Sequence, residues 1–322
     1  PADGGIRAVP VPGAVHLFFT VLIEYGTMSF ERVAEPTLKI LDQGGQDWYD
    51  ELAMTLRKLI ETESETNGNR KEKLNAARDR FYKGDIAQQL VNYYKENGGY
   101  LTLQDLQQHQ TLIEDPVSVD YRGYTILKCG PWTQGPYLCQ TLRILEGFDL
   151  KAMGHLSGNY IHALTESLKL GLADRDYYYG DPRFTKVPMD ALLSDEYTKI
   201  RQGLVNMELA SLSVRPGDPI KMEALVDKPS KYRPGPGGTT TCVVADKWGN
   251  FVAATPSGNP PYNICEPLGI AHGNRLRSLN TAKGHSNRIE PGKRPRITLT
   301  PTLIMKNGSP IMGISVAGGD LQ

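Results

Sequence analysis

Between Arg233 and Asp246 the chain reads Arg-Pro-Gly-Pro-Gly-Gly-Thr-Thr-Thr-Cys-Val-Val-Ala-Asp. Two prolines and three glycines in the first six residues exclude regular structure and mark a strained or flexible connector. β-Branched residues then take over, so Thr240 to Ala245 is predicted to be a strand. Asp246-Lys-Trp-Gly-Asn250 supplies a turn, and Phe251 to Thr255 a returning strand. The segment is a connector feeding a hairpin that is led by Thr239. A threonine hydroxyl is a poor nucleophile unless a base lies within hydrogen-bond reach. Cleavage before Thr239 would create that base in the same residue, an α-amine of pKa about 7.7–8.0. The small Gly237-Gly238 pair would let the hydroxyl reach the preceding carbonyl. On residue chemistry alone, a plain loop entering a buried strand is the better account of this stretch.

The rest of the chain supplies the setting. Upstream the periodicity is mostly helical: Ala14 to Tyr25, a second helix capped by Ser29, Ile86 to Asn97 capped by Asp85 and stopped by Gly98-Gly99, a short helix at Asp105 to His109, and Tyr160 to Tyr177. Ala14 to Ile23 is apolar enough to be read as a buried helix, and the polar run Glu61 to Lys73 as a solvated loop. Val117 to Tyr121 and Tyr124 to Cys129 flank Arg122-Gly123 and form a predicted hairpin; Ile297 to Met305 and Pro310 to Val316 are further strands. Helices followed by apolar strands predict a layered α/β or α+β domain whose sheets are covered on both faces.

Composition narrows the function classes. Thirty-six basic residues balance thirty-six acidic ones, so no global field recruits nucleic acid or an anionic membrane. No stretch reaches the roughly 20 apolar residues of a membrane span. Cys129, Cys139, Cys242 and Cys265 show no CxxC spacing and no neighbouring histidine cluster, so no metal site and no cofactor is expected; Cys242, in an apolar strand, is expected to be buried. Gly313-Ile-Ser315-Val-Ala317 approximates a serine-hydrolase elbow, but its last glycine is missing and no histidine follows His285. Gly235-Pro-Gly-Gly-Thr-Thr lacks the lysine of a phosphate loop.

The motifs together resemble the γ-glutamyltranspeptidase family. Gly237-Gly-Thr-Thr-Thr-Cys-Val-Val-Ala-Asp246 with Gly249-Asn250 is similar to its processing site. Tyr25-Gly-Thr-Met28, Phe81-Tyr-Lys-Gly-Asp85, Tyr121-Arg-Gly-Tyr124, Ile144-Leu-Glu-Gly-Phe148 and Gly180-Asp-Pro182 agree in order and spacing, as do Gly292-Lys-Arg-Pro295, Thr300-Pro-Thr302 and Gly318-Gly319. The resemblance implies an N-terminal-nucleophile hydrolase with an αββα sandwich, two central sheets flanked by helices. It implies one domain over 1–322, cut between Gly238 and Thr239 into parts 1–238 and 239–322 that stay associated. Thr239 matches the nucleophile, Ser257 the assisting hydroxyl, Asn259 a residue beside the substrate, and Gly318 and Gly319 the oxyanion donors. The implied partner is a small-molecule amide, glutathione-like or another acyl amide; a homo-oligomer is compatible with the pattern. Family members are often periplasmic or secreted, though no targeting pattern is legible here. A start at Pro1 and three residues after Gly319 lead us to expect a piece of a longer enzyme.

Two departures bear on the substrate. Where the family holds the γ-glutamyl α-amine, this chain carries Arg275 and Arg277; where the family has a serine pair, it has Ile297-Thr298, which makes Arg275 and Thr298 the candidate substrate contacts. The alternatives are therefore an acylase for dicarboxylic acyl amides of the glutaryl type, or a paralogue that folds without turnover.

Overall fold

The computed structural model describes residues 5–226, 239–256 and 263–319. Gly238, Ser257 and Asn259 lie outside the described residues. In chain order the helices are α1 (Ala14–Glu24), α2 (Phe30–Leu41), α3 (Tyr49–Glu65), α4 (Arg70–Lys83), α5 (Asp85–Glu96), α6 (Leu103–Gln107), α7 (Pro136–Leu145), α8 (Leu150–Met153), α9 (Gly158–Tyr178), α10 (Met189–Leu192) and α11 (Asp195–Gln202). The strands are β1 (Val117–Tyr121), β2 (Tyr124–Lys128), β3 (Cys242–Ala245), β4 (Phe251–Ala254), β5 (Ile264–Cys265), β6 (Ile270–Ala271), β7 (Thr302–Lys306) and β8 (Ser309–Ile314). Contacts divide the chain into two compact units, one of residues Pro1–Ile113 with Gly258–Arg277, the other of Glu114–Ser257 with Ser278–Gln322.

The first unit is a helical assembly. Phe19, Ile23, Leu59, Leu74, Phe81, Ile86 and Leu90 are buried together, with Cys265 and Leu268 of the β5–β6 segment against them. Only one side of α1 is covered, for Leu17, Phe18 and Val21 are exposed, so the expectation of a wholly buried helix is corrected. The run Glu61 to Lys73 is also corrected: it is the end of α3 and the start of α4, whose Asn69–Glu72 capping box fixes the new start. Arg70 turns inward and donates to the carbonyls of Leu22, Ile23 and Met28 at 3.0, 3.2 and 3.3 Å, satisfying the end of α1. Asp85 does not cap α5; Gly84 holds that position, and Asp85 accepts from Arg80 Nε at 2.9 Å.

The second unit is layered. Its four-stranded antiparallel sheet has the order β1-β2-β7-β8, and the β1–β2 turn is tight because Arg122 and Gly123 both take positive φ. Helix α7 covers one face through Cys139 and Leu142 against Val119, Ile126 and Ile304. The β3–β4 hairpin stacks on the other face. A Cβ on Gly313 of β8 would lie 2.8 Å from Val243 Cγ1 and 3.8 Å from Ala253 Cβ, so the missing side chain is what lets the two sheets close. The predicted strand from Thr240 starts at Cys242, and the returning strand stops at Ala254. All four residues of β3 are exposed, including Cys242. The expectation of strands covered on both faces thus fails for β3, whose residues stay exposed although the hairpin packs on the neighbouring sheet. Cys139 and Cys265 are the buried thiols, and burial pushes them up to about 12 and about 11.

Candidate active site

The register of the hairpin places Thr239. Cys242 pairs with Ala254 and Val243 with Ala253, and beyond the strand ends the Thr240 amide still donates to the Pro256 carbonyl at 2.9 Å. Thr239 is therefore held one residue past a backbone hydrogen bond, half-buried, at the open end of β3. The same end of the stacked sheets receives the end of β8. Ser315 Oγ donates to the Ala254 carbonyl at 3.0 Å and lies 2.7 Å from Thr255 Oγ1. Gly318 and Gly319 follow three and four residues later with φ of 155° and 73°, conformations that favour glycine at both positions. A Cβ at either would meet nothing within 4 Å, so backbone geometry and not crowding requires the pair.

Thr298 is buried, 2% exposed, and its carbonyl accepts from Gln134 Nε2 at 2.9 Å. Gln134 Oε1 in turn accepts from Arg175 Nη1 at 2.6 Å, and Arg175 Nε donates to Asp176 at 2.9 Å. A chain of buried polar groups thus runs from α9 to Thr298. Asp181 joins two other sequence motifs: its carboxylate accepts from the amide and side chain of Arg183 and from the amide of Arg294 at 2.9 Å. Burial alone would raise its pKa, but these donors outweigh it and hold the carboxyl well below the usual carboxylate range. Neither network is legible as such in the sequence. Gln134 belongs to no motif, Arg175 enters only as the end of the family-like Ala173-Asp-Arg175, and the paired occurrence of Gly180-Asp-Pro182 and Lys293-Arg-Pro295 hints at the second network.

Arg275 belongs to the first unit, in the 3-10 turn Arg275–Ser278, and is partly exposed; Arg277 is exposed. The turn is entered from His272, whose Nδ1 donates to the Asn263 carbonyl at 2.9 Å while Nε2 accepts from Tyr94 Oη at 2.6 Å. Burial lowers the pKa of His272, consistent with a neutral ring of that tautomer.

A cavity of about 540 Å³ opens between the sheet and α7, lined by Tyr121, Ile126, Lys128, Leu142, Ile304 and Met312 among others. These residues alternate along β2, β7 and β8 with those facing the hairpin, so the cavity lies on the sheet face opposite Ser315. Lys128 Nζ there donates to Thr300 O at 2.7 Å and Thr302 Oγ1 at 2.6 Å, and burial lowers its pKa to about 8. Among the described residues no group of His, Cys, Asp and Glu could hold a metal ion, and no helix is long and apolar enough to cross a membrane.

Residues 49–322 match the family model of γ-glutamyltranspeptidase. The glutathione hydrolase proenzyme of Bacillus subtilis (strain 168) is 30% identical over 97% of this chain and 58% of its own length. The glutathione hydrolase-like YwrD proenzyme of the same strain is 31% identical over 100% of this chain and 63% of its own. Among solved structures, the cephalosporin acylase from Bacillus halodurans is 26% identical with a TM-score of 0.78, over 98% of this chain and 61% of that one. The chain thus spans about three fifths of the relatives it matches. Its mixed helical and antiparallel-sheet architecture is the layered α/β fold of these N-terminal-nucleophile hydrolases. By sequence and by fold, the chain belongs to the γ-glutamyltranspeptidase family.

Proposed function

We propose that the protein is a γ-glutamyltransferase-like amidohydrolase that cuts itself between Gly238 and Thr239 and then uses Thr239 as nucleophile. Two hydrogen bonds at one end of the stacked sheets support this reading. There the Thr240–Pro256 hydrogen bond holds Thr239 beside the hairpin end, and the Ser315–Ala254 bond brings in the strand leading to Gly318-Gly319. The Thr239 α-amine takes the hydroxyl proton as Oγ attacks the amide carbonyl. The Gly318 and Gly319 amides stabilise the oxyanion, and the proton passes to the departing amine. Water or an acceptor amine then resolves the acyl-enzyme. Ser257 supports the nucleophile, and Asn259 and Thr298 border the acyl group. The parts before and after the cut remain associated.

Intact-mass measurement tests the reading. The wild type yields residues 1–238 and 239–322, whereas Thr239→Ala stays a single chain because no hydroxyl remains to attack the carbonyl. Cleavage of the Ala variant at that bond without added protease would sink it. A second reading, an acylase for glutaryl-type amides, is favoured by Arg275 and Arg277: a guanidinium close to a γ-glutamyl ammonium is repulsive, whereas a glutaryl group offers it only a carboxylate. Similarity to a cephalosporin acylase supports the same reading.

A further inference from the structure

Ser315 has no role in the reaction just described, and its surroundings give it one. Its hydroxyl has a single proton, and the Ala254 carbonyl at 3.0 Å accepts it, so the Thr255 hydroxyl at 2.7 Å must be the donor to Ser315 Oγ. Thr255 is 8% exposed, and Ser315 is half-buried. The pair therefore forms a directed chain, Thr255 O–H to Ser315 O–H to Ala254 C=O, between two sheets that meet through apolar atoms at Gly313. Two residues before Ser315, on the same face of β8, Gly313 lets Val243 approach but exerts no directional hold.

From this pair the covalent path to each reacting group is short. On the hairpin side Thr255 is joined to Pro256, whose carbonyl holds the Thr240 amide next to Thr239. On the strand side Ser315 is four residues from Gly319. Apolar packing fixes the separation of two sheets but tolerates sliding in their plane; a pair of hydrogen bonds does not. We propose that Ser315, with Thr255, is a positioning residue that sets the Thr239 hydroxyl against the Gly318-Gly319 amides. The assignment rests on Thr239 being the nucleophile. It predicts an effect on the chemical step and not on substrate affinity, because an interaction made only in the transition state is what misplacement weakens.

The test uses the full chain. In S315A, self-cleavage and kcat on an acyl p-nitroanilide should fall roughly 10- to 100-fold while KM stays within about twofold. S315T, which keeps the hydroxyl, should recover most of both rates. T255V should reproduce the loss, and the S315A/T255V double variant should be no slower than either single, since each breaks the same chain. Should S315A fail to fold, T255V against T255S carries the same comparison. A wild-type rate in S315A, a change confined to KM, or additive losses in the double variant overturns the assignment while leaving Thr239 as nucleophile. A wild type that neither cuts itself nor turns over any anilide overturns both.

Discussion

At Arg275 the proposed choice between two substrate classes turns on a single charge. Its turn is anchored through His272 by Tyr94 and the Asn263 carbonyl, so the guanidinium is carried by a fixed backbone on a partly exposed side chain. On the acylase reading, the wild type prefers glutaryl- over γ-glutamyl-p-nitroanilide in kcat/KM, and Arg275→Gln narrows that preference by about tenfold, or ~1.4 kcal/mol of transition-state stabilisation. A γ-glutamyl preference untouched by the substitution removes the acylase reading. Thr298, matched to a position of the family's serine pair, is held through its carbonyl by the buried Arg175–Gln134 chain. Which atom of a residue matters depends on neighbours remote in sequence.

Elements are fixed here as much by single joints as by periodicity. Arg70 satisfies three carbonyls around the end of α1, so Arg70→Ala should cost about 1–3 kcal/mol, read as a lower urea midpoint with unchanged slope. An unaltered midpoint would mean that water replaces the guanidinium at no cost. Gly313 is the corresponding joint between sheets. Valine there drives its side chain into Val243, only 2.8 Å from the new Cβ, and should destabilise by about 1–3 kcal/mol while slowing self-cleavage through displacement of the hairpin. Retention of both wild-type stability and cleavage rate would show that the hairpin repacks freely. Most element types were legible from periodicity and caps: Ser29 caps α2 by accepting from the Arg32 amide, and Arg122-Gly123 turns β1 into β2. The polar run Glu61 to Lys73 was not, because α3 and α4 are held by a capping box and by Arg70's distant carbonyls, neither of which leaves an apolar period.

Across the molecule, acid sensitivity is the most accessible collective property. His16 is buried beside Tyr82 and His109, with Arg78 and Asp79 near and Thr20 and Thr111 hydroxyls at Nδ1; the Thr111 amide also donates to Nδ1, at 3.3 Å. Burial first, and then Arg78, lowers its pKa from 6.5 to about 4. The folded state therefore favours the neutral ring. Its contribution to stability is present above about pH 6.5 and is lost as pH falls from there through about 4. The unfolding midpoint should decline over that window, and His16→Gln should flatten the decline in part, since His109 and His272 are also lowered. An identical slope in the variant would exclude His16 as a contributor.

The sequence by itself determined the family, the layered fold and the identity of the candidate nucleophile. The family and the nucleophile came from motifs matched in order and spacing along the whole chain; local chemistry added a Pro-Gly connector that cannot be regular, a β-favouring run and glycines where φ turns positive. The tertiary structure alone decided which segments meet. That Ser315 donates to Ala254, that Gln134 holds Thr298, and that Gly313 faces Val243 are contacts between residues 61, 164 or 70 positions apart. Contacts at that separation leave no periodic trace in a single chain, because each is made by the closing of sheets and helices that residue pattern specifies only one at a time.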